Sequence, residues 1–172
     1  VIYDLLPLIL PQYFPQGAKK IFENWFEAVQ DSDGAICISR TVAGDVRRMI
    51  ERQNSGVPGN FQISHFRLGS DIERSQATTG RPDNAEGIRQ VIASAPTFLM
   101  VGTLEPRKGV TQTLDAFEVL WDQGIDANLF VVGKQGWQME PLVERLNTHS
   151  QKGKRLVWLN GISDEFLDEI YD

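Results

Sequence analysis

Two cations, Arg107 and Lys108, stand side by side inside "FLMVGTLEPRKGVTQTLDAF", residues 98 to 117. An apolar run ends there at Gly102-Thr103, Pro106 stiffens the turn, and Gly109 opens an amphipathic segment. This is the pattern of a buried strand handing over to a helix. In an open parallel α/β sheet, ligands bind outside the carboxyl ends of the strands. The free N–H groups and positive dipole end of the following helix favour an anion at such a turn. Gly102 lets a ligand approach the backbone closely. Lys108 supplies a point charge, and an arginine such as Arg107 can clamp phosphate oxygens with two bonds. Cations at a helix start are electrostatically misplaced unless an anion joins them, so the choice lies between an anion site and two solvated surface charges. A weaker candidate is "VVGKQG", which puts Gly133 and Lys134 at the end of a second strand, near a phosphate or in a plain turn.

The elements that must position these residues follow from periodicity. After the break at 67–96 the chain is regular, with strands expected at 97–103, 127–133 and 155–160 and helices at 108–123, 138–149 and 163–171. Leu114, Phe117 and Trp121 share one helical stripe, and "ANLFVVG" and "KRLVWLNG" are short apolar runs of the parallel-sheet kind. Three βα units in succession imply a parallel sheet with right-handed crossovers. Glu165, Asp168, Glu169 and Asp172 make an acidic helix face, read as solvated surface.

Upstream, "VIYDLLPLILPQYFP" reads as a strand end and a loop punctuated by Pro7, Pro11 and Pro15. Ile21, Phe22, Trp25, Phe26 and Val29 form one helical face. "GAICIS" reads as a strand buried on both sides, Ser39 as the cap of the helix "RTVAGDVRRMIERQ", "NSGVPGN" as a loop and "FQISHF" as a strand. Residues 67–96 are polar and rich in turn formers, which predicts a surface linker. The domain reading is therefore 1–66, linker 67–96, and 97–172. Three βα units are half of a doubly wound sheet, and the first part starts inside a strand, so the sequence reads as an excerpt from a longer chain.

Composition narrows the function. The 172 residues carry a net charge of −6, which argues against a nucleic-acid partner and confines any anion site to a local cluster of cations. A single cysteine, Cys37, excludes an internal disulfide, reads as a buried structural thiol and fits a cytoplasmic compartment. With two histidines no histidine-rich metal site is available, and no metal is expected. No run approaches the roughly 18 apolar residues of a spanning helix, and the first residues lack the charged start of a signal peptide.

"VGTLEPRKGVTQTLDAF", "ANLFVVGKQGW" and "RLVWLNGISDEFLDEIYD" together resemble the retaining glycosyltransferases of GT-B fold in family 4, the group 1 family. The nearest likeness is to bacterial mannosyltransferases of O-antigen and exopolysaccharide synthesis. "IYDLLPLILPQYF", "DGAICISRTVAGDV" and "ISHFRLGSDI" are similar to the end of that family's acceptor-side domain and its crossing into the donor domain. The resemblance implies an α/β chain holding parts of two Rossmann-like domains. It implies transfer of a hexose, mannose from GDP-mannose by likeness, from a nucleotide diphosphate sugar to a glycan or lipid-linked glycan acceptor, with retention and without a further cofactor. It also implies a cytoplasmic protein whose parent associates with the inner membrane from that side.

Lys108 matches the lysine of the family pattern G-R-L-x-P-x-K-G, while the preceding arginine falls on Thr103. Arg107 either takes that arginine's place or faces solvent. Leu159, just before "GISDE", and Ile162 within it are expected to frame the nucleotide base, unless Leu159 is core. Asp4 and Ser39 are expected to face the cleft from the acceptor side. The family's catalytic E-x7-E element would lie beyond Asp172, so these residues alone are expected to be inactive. A non-catalytic nucleotide-binding or interaction module is the alternative. A nicotinamide dehydrogenase is disfavoured because "VGTLEPRKG" lacks G-x-G-x-x-G.

Overall fold

The computed structural model describes residues 1–53, 56–69 and 76–171. Asn54 and Ser55 of the expected loop, residues 70–75 of the expected linker and Asp172 of the acidic face lie outside the described residues. The chain divides into two compact units, Val1–Arg74 and Ser75–Asp172, each with its own parallel sheet.

The first unit runs α1 (Leu6–Ile9), a 3₁₀ turn (Pro11–Tyr13), α2 (Ala18–Gln30), β1 (Gly34–Cys37), α3 (Arg40–Gln53) and β2 (Gln62–His65). β1 and β2 pair in parallel, and Ile2 bridges to Cys37 as the stub of a third parallel strand. Three expectations change here. The prolines do not exclude a helix, because Pro7 sits in the first turn of α1, where its missing N–H would have had no partner anyway. β1 is buried on one side only. Ala35 and Cys37 point into a core with Ile2, Leu5, Phe26, Ala43 and Val46, while Ile36 is 51% exposed. The expected apolar face of α2 is likewise split: Phe26 is fully buried, but Ile21 is exposed. Burial pushes the Cys37 thiol up from its ordinary pKa, as expected of a structural cysteine.

The second unit runs α4 (Ala85–Ser94), β3 (Thr97–Val101), α5 (Val110–Asp122), β4 (Asn128–Val132), α6 (Glu140–Thr148), β5 (Leu156–Leu159) and α7 (Asp164–Tyr171). The strands are parallel in the order β3-β4-β5. Side chains alternate across the sheet with period two. Leu129, Val131 and Leu156 pack with Val110, Leu114, Phe117 and Trp121 of α5 and Leu142 and Leu146 of α6. Phe130 turns the other way, onto Ile88 of α4 and Phe166 of α7. Every β4 residue is buried, as its run, apolar but for Asn128, predicts for a strand covered on both faces.

α4 lies inside the stretch read as linker. Its apolar content is small, but Ala85, Ile88, Val91 and Ile92 fall on one helical face and cover the sheet beside Phe130. The buried Asn128 amide fastens its end, donating to the Val91 carbonyl at 2.6 Å and the Thr97 hydroxyl at 3.1 Å. That carbonyl belongs to the last turn of a helix, where backbone donors run out, and the Ser94 hydroxyl also donates to it at 2.7 Å.

Candidate functional site

The carboxyl ends of β3, β4 and β5 open on one edge of the second unit. Ladder pairing continues past the strands: Leu104 N–H donates to the Lys134 carbonyl at 2.8 Å, and Gly136 N–H to the Leu104 carbonyl at 2.9 Å. The "GTLEPRKG" turn is therefore braced along its length by "GKQG". Two glycines permit this. A Cβ on Gly133 would stand 2.0 Å from the Gly102 carbonyl oxygen, and one on Gly136 2.4 Å from that of Leu104. A 3₁₀ turn, Pro106–Lys108, then feeds α5 through Gly109, whose φ of 73° lies in the left-handed region.

Lys108 extends over this turn. Its Nζ is the nearest side-chain atom to the open face of Gly102, 3.9 Å from where a Cβ would be. Gly102, Thr103 and Lys108 line a hollow of about 280 Å³ with apolar residues of β3, β4 and α5. Lys108 is exposed, and none of the ion pairs among the described residues includes it. Arg107 differs. Its Nε lies 2.8 Å from Oε2 of Glu105, a carboxylate buried to 8% exposure. That oxygen accepts no well-aligned hydrogen bond, so charge attraction holds the pair. Arg107 is thus neither a plain solvent-facing cation nor a free two-bond clamp, since its inner nitrogen is committed to Glu105.

A second, larger cleft of about 680 Å³ opens at the end of β5, lined by Thr78–Pro82, Lys134 and Asn160–Asp164. It gathers two of the expected donor residues, Lys134 and Ile162. Leu159 is not among them; it packs toward Phe130 and Phe166 in the core. Gly133 plays its part through the backbone, donating N–H to the Leu159 carbonyl and accepting from the Trp158 indole at 3.0 Å. The wall formed by Thr78–Pro82 escaped sequence reading, because a polar run full of Thr, Gly and Pro carries no periodic signal.

α7 holds that wall. The Asp164 carboxylate accepts from both the Thr78 N–H and hydroxyl at 2.8 Å, and Glu165 accepts from the Gly80 N–H at 2.8 Å. Glu169 pairs with Arg81 and Arg89. These bonds, the Thr78 backbone N–H first, hold the Asp164 carboxyl below its ordinary pKa. The Arg89 hydrogen bond does the same for Glu169. The acidic face of α7 is therefore not simply solvated: Glu165 and Glu169 are engaged, although Glu165, like Asp168, is exposed.

In the first unit, Ser39 accepts from the Val42 N–H at 3.1 Å and caps α3. Asp4 accepts from the Leu6 N–H at 2.9 Å and borders a hollow of about 380 Å³ lined by Val1, Tyr3, Ile21, Phe22 and Trp25. No helix among the described residues is long and apolar enough to cross a membrane.

The chain is 47% identical, over 99% of its length, to serotype-specific mannosyltransferase WbdA of Escherichia coli, of which it spans 21%. Another Escherichia coli WbdA is 46% identical over the same shares. A parallel α/β unit whose strand ends carry a lysine-bearing turn and a polar cleft agrees with the family model "Glycosyl transferases group 1", which matches residues 85–172. The chain belongs to the group 1 glycosyltransferases.

Proposed function

We propose that residues 76–171 bind the donor of a retaining mannosyltransferase, with the nucleoside in the cleft at the end of β5 and the diphosphate beside Lys108. The observation that carries this reading is the pair of openings on one sheet edge, one bearing a lysine in no ion pair among the described residues over a glycine backbone and the other polar and roomy. β3 and β5 are separated by two strand spacings, about 10 Å, a span that one extended nucleotide can bridge. As the sugar leaves, charge grows on the terminal phosphate oxygen. A cation already placed there lowers the barrier without reorganising.

GDP-mannose as donor and a surface-polysaccharide glycan, such as an O-antigen chain on a lipid carrier, as acceptor rest on the likeness to the mannosyltransferases. The chain spans about a fifth of their length, so transfer belongs to the whole protein, at the cytoplasmic face of the membrane. The 172 residues by themselves are expected to bind donor without transferring the sugar.

Calorimetric titration of the chain with GDP, UDP, ADP and inorganic pyrophosphate tests the donor site. A nucleotide-sugar screen of the full-length protein, followed by analysis of the product anomer, tests the reaction. Binding of a nucleoside diphosphate and turnover with GDP-mannose to an α-linked product are expected. Failure of every nucleotide to bind would overturn the assignment of the cleft.

A further inference from the structure

The run "ATTGRPD", residues 77–83, has almost no apolar side chain to bury, yet it forms a defined wall. What orders it is a reciprocal set of bonds to the start of α7, more than eighty residues away in sequence. The Thr78 hydroxyl donates to Asp164 Oδ2 at 2.8 Å and accepts from the Asp164 N–H at 2.9 Å. The Glu165 N–H donates to the Thr78 carbonyl at 3.1 Å, and Ser163 both donates to the Gly80 carbonyl and caps the Phe166 N–H. One edge of the strap is used up in this clasp. Glu169 of α7 holds Arg81 as well, and the run so fastened lines the cleft across from Lys134 and Asn160–Ile162, with the Thr79 side chain outside every bond of the clasp.

We propose that the Thr78–Pro82 strap selects the heterocycle of the bound nucleotide, and that Asp164 is the positioning residue that holds the strap in register. This rests on the donor-site reading above. The chemistry is that of a planar, polar ring held between two stretches of backbone. Gly80, at φ 122°, gives the strap a turn that a side chain would strain. Proline at 82 fixes the backbone beyond it. A wall of backbone and hydroxyls offers donors and acceptors at set heights and so discriminates ring edges, whereas the diphosphate contacts at Lys108 are shared by every nucleotide. Asp164 acts through the strap in this scheme; it sets where Thr78 and so Thr79 stand, while Glu169 holds Arg81.

The test is titration of the 172-residue chain and two variants, Asp164→Ala and Thr78→Ala, with GDP, UDP and inorganic pyrophosphate, with Asp164→Asn as a conservative control. Loss of the clasp is expected to weaken the preferred nucleotide about tenfold and bring the GDP-to-UDP affinity ratio toward unity. Pyrophosphate affinity should stay within about twofold, and Asp164→Asn, which still accepts both Thr78 bonds, should recover most of the loss. Equal weakening of nucleotide and pyrophosphate, or an unchanged GDP-to-UDP ratio in both alanine variants, would overturn the strap's role while leaving the donor site intact. If the unaltered chain binds pyrophosphate and no nucleotide, both readings fall. Thr78→Ala gives up the Asp164 N–H cap but keeps the Thr78 carbonyl and Ser163 caps of α7, so it decides the matter if Asp164→Ala unfolds.

Discussion

Lys108 and Gly133 have opposite kinds of importance. Lys108 stands exposed over a glycine and stabilises little of the fold. If Lys108 faces the donor diphosphate as proposed, Lys108→Ala in the full-length protein should lower kcat about a hundredfold, the roughly 3 kcal/mol typical of one preorganised electrostatic contact to a developing anion. Its melting temperature should hardly move, and steady-state kinetics beside thermal unfolding read both quantities. Arg107→Ala should cost less activity, because its Nε is already spent on Glu105. Gly133 is the reverse case. At φ 153° and with a carbonyl where a Cβ would go, Gly133→Ala must push β3 from β4 and should destabilise by at least about 3 kcal/mol. Gly124, at φ 78° with open space around it, is the internal control: Gly124→Ala should cost only about 1 kcal/mol. Chemical denaturation of the two variants gives the comparison directly.

At the scale of elements, α5 and α6 are joined on their outer face by a charged cluster rather than by more core. Glu118 of α5 accepts from Arg145 Nε at 3.2 Å, and Arg145 also reaches Asp115 at 2.6 Å. His149 contributes through Nε2 at 3.0 Å from Glu118, while its Nδ1 accepts the Gln151 N–H. The neutral ring therefore carries its proton on Nε2 and donates it to Glu118. The Arg145 hydrogen bond, aided by His149, holds the Glu118 carboxyl below its ordinary pKa, against a smaller opposing push from burial. A carboxyl depressed in the folded state stabilises above its unfolded pKa, about 4.3, and loses that contribution as pH falls through the lower folded value. Glu118 is 36% exposed, so screening keeps the effect to about 1 kcal/mol. Glu118→Gln should lower the melting temperature by about 2–4 °C at pH 7 and by almost nothing near pH 3. A pH series of melting curves checks it.

At the scale of the molecule, each unit has a sheet and a core of its own. In the second unit the sheet is covered on both faces, by α5 and α6 on one side and α4 and α7 on the other. Residues 76–172 should therefore express as a folded, cooperatively melting domain, and a boundary at 97 should not. Cutting at 97 removes α4 and the strap, exposing Phe130 and Phe166, each worth about 2–3 kcal/mol of burial. Circular dichroism and amide exchange on the two truncations would show the difference.

By itself, the sequence determined the parallel βα units, the placement of Lys108 at a strand end, the stripe of Leu114, Phe117 and Trp121, and the burial of Cys37. All of these depend on local periodicity or on a residue type whose environment is chemically restricted. Tertiary structure decided the rest. α4 hid in a polar stretch because three or four apolar residues suffice when the partner surface is Phe130. The strap hid because its order comes from Asp164 and Glu165, far along the chain, and hydrogen bonds between distant polar groups leave no period in a sequence. The same holds for Arg107, whose neighbour Glu105 was visible all along. Only the burial of that carboxylate at the strand end, which takes its hydration away, turned a charged surface residue into the arginine's partner.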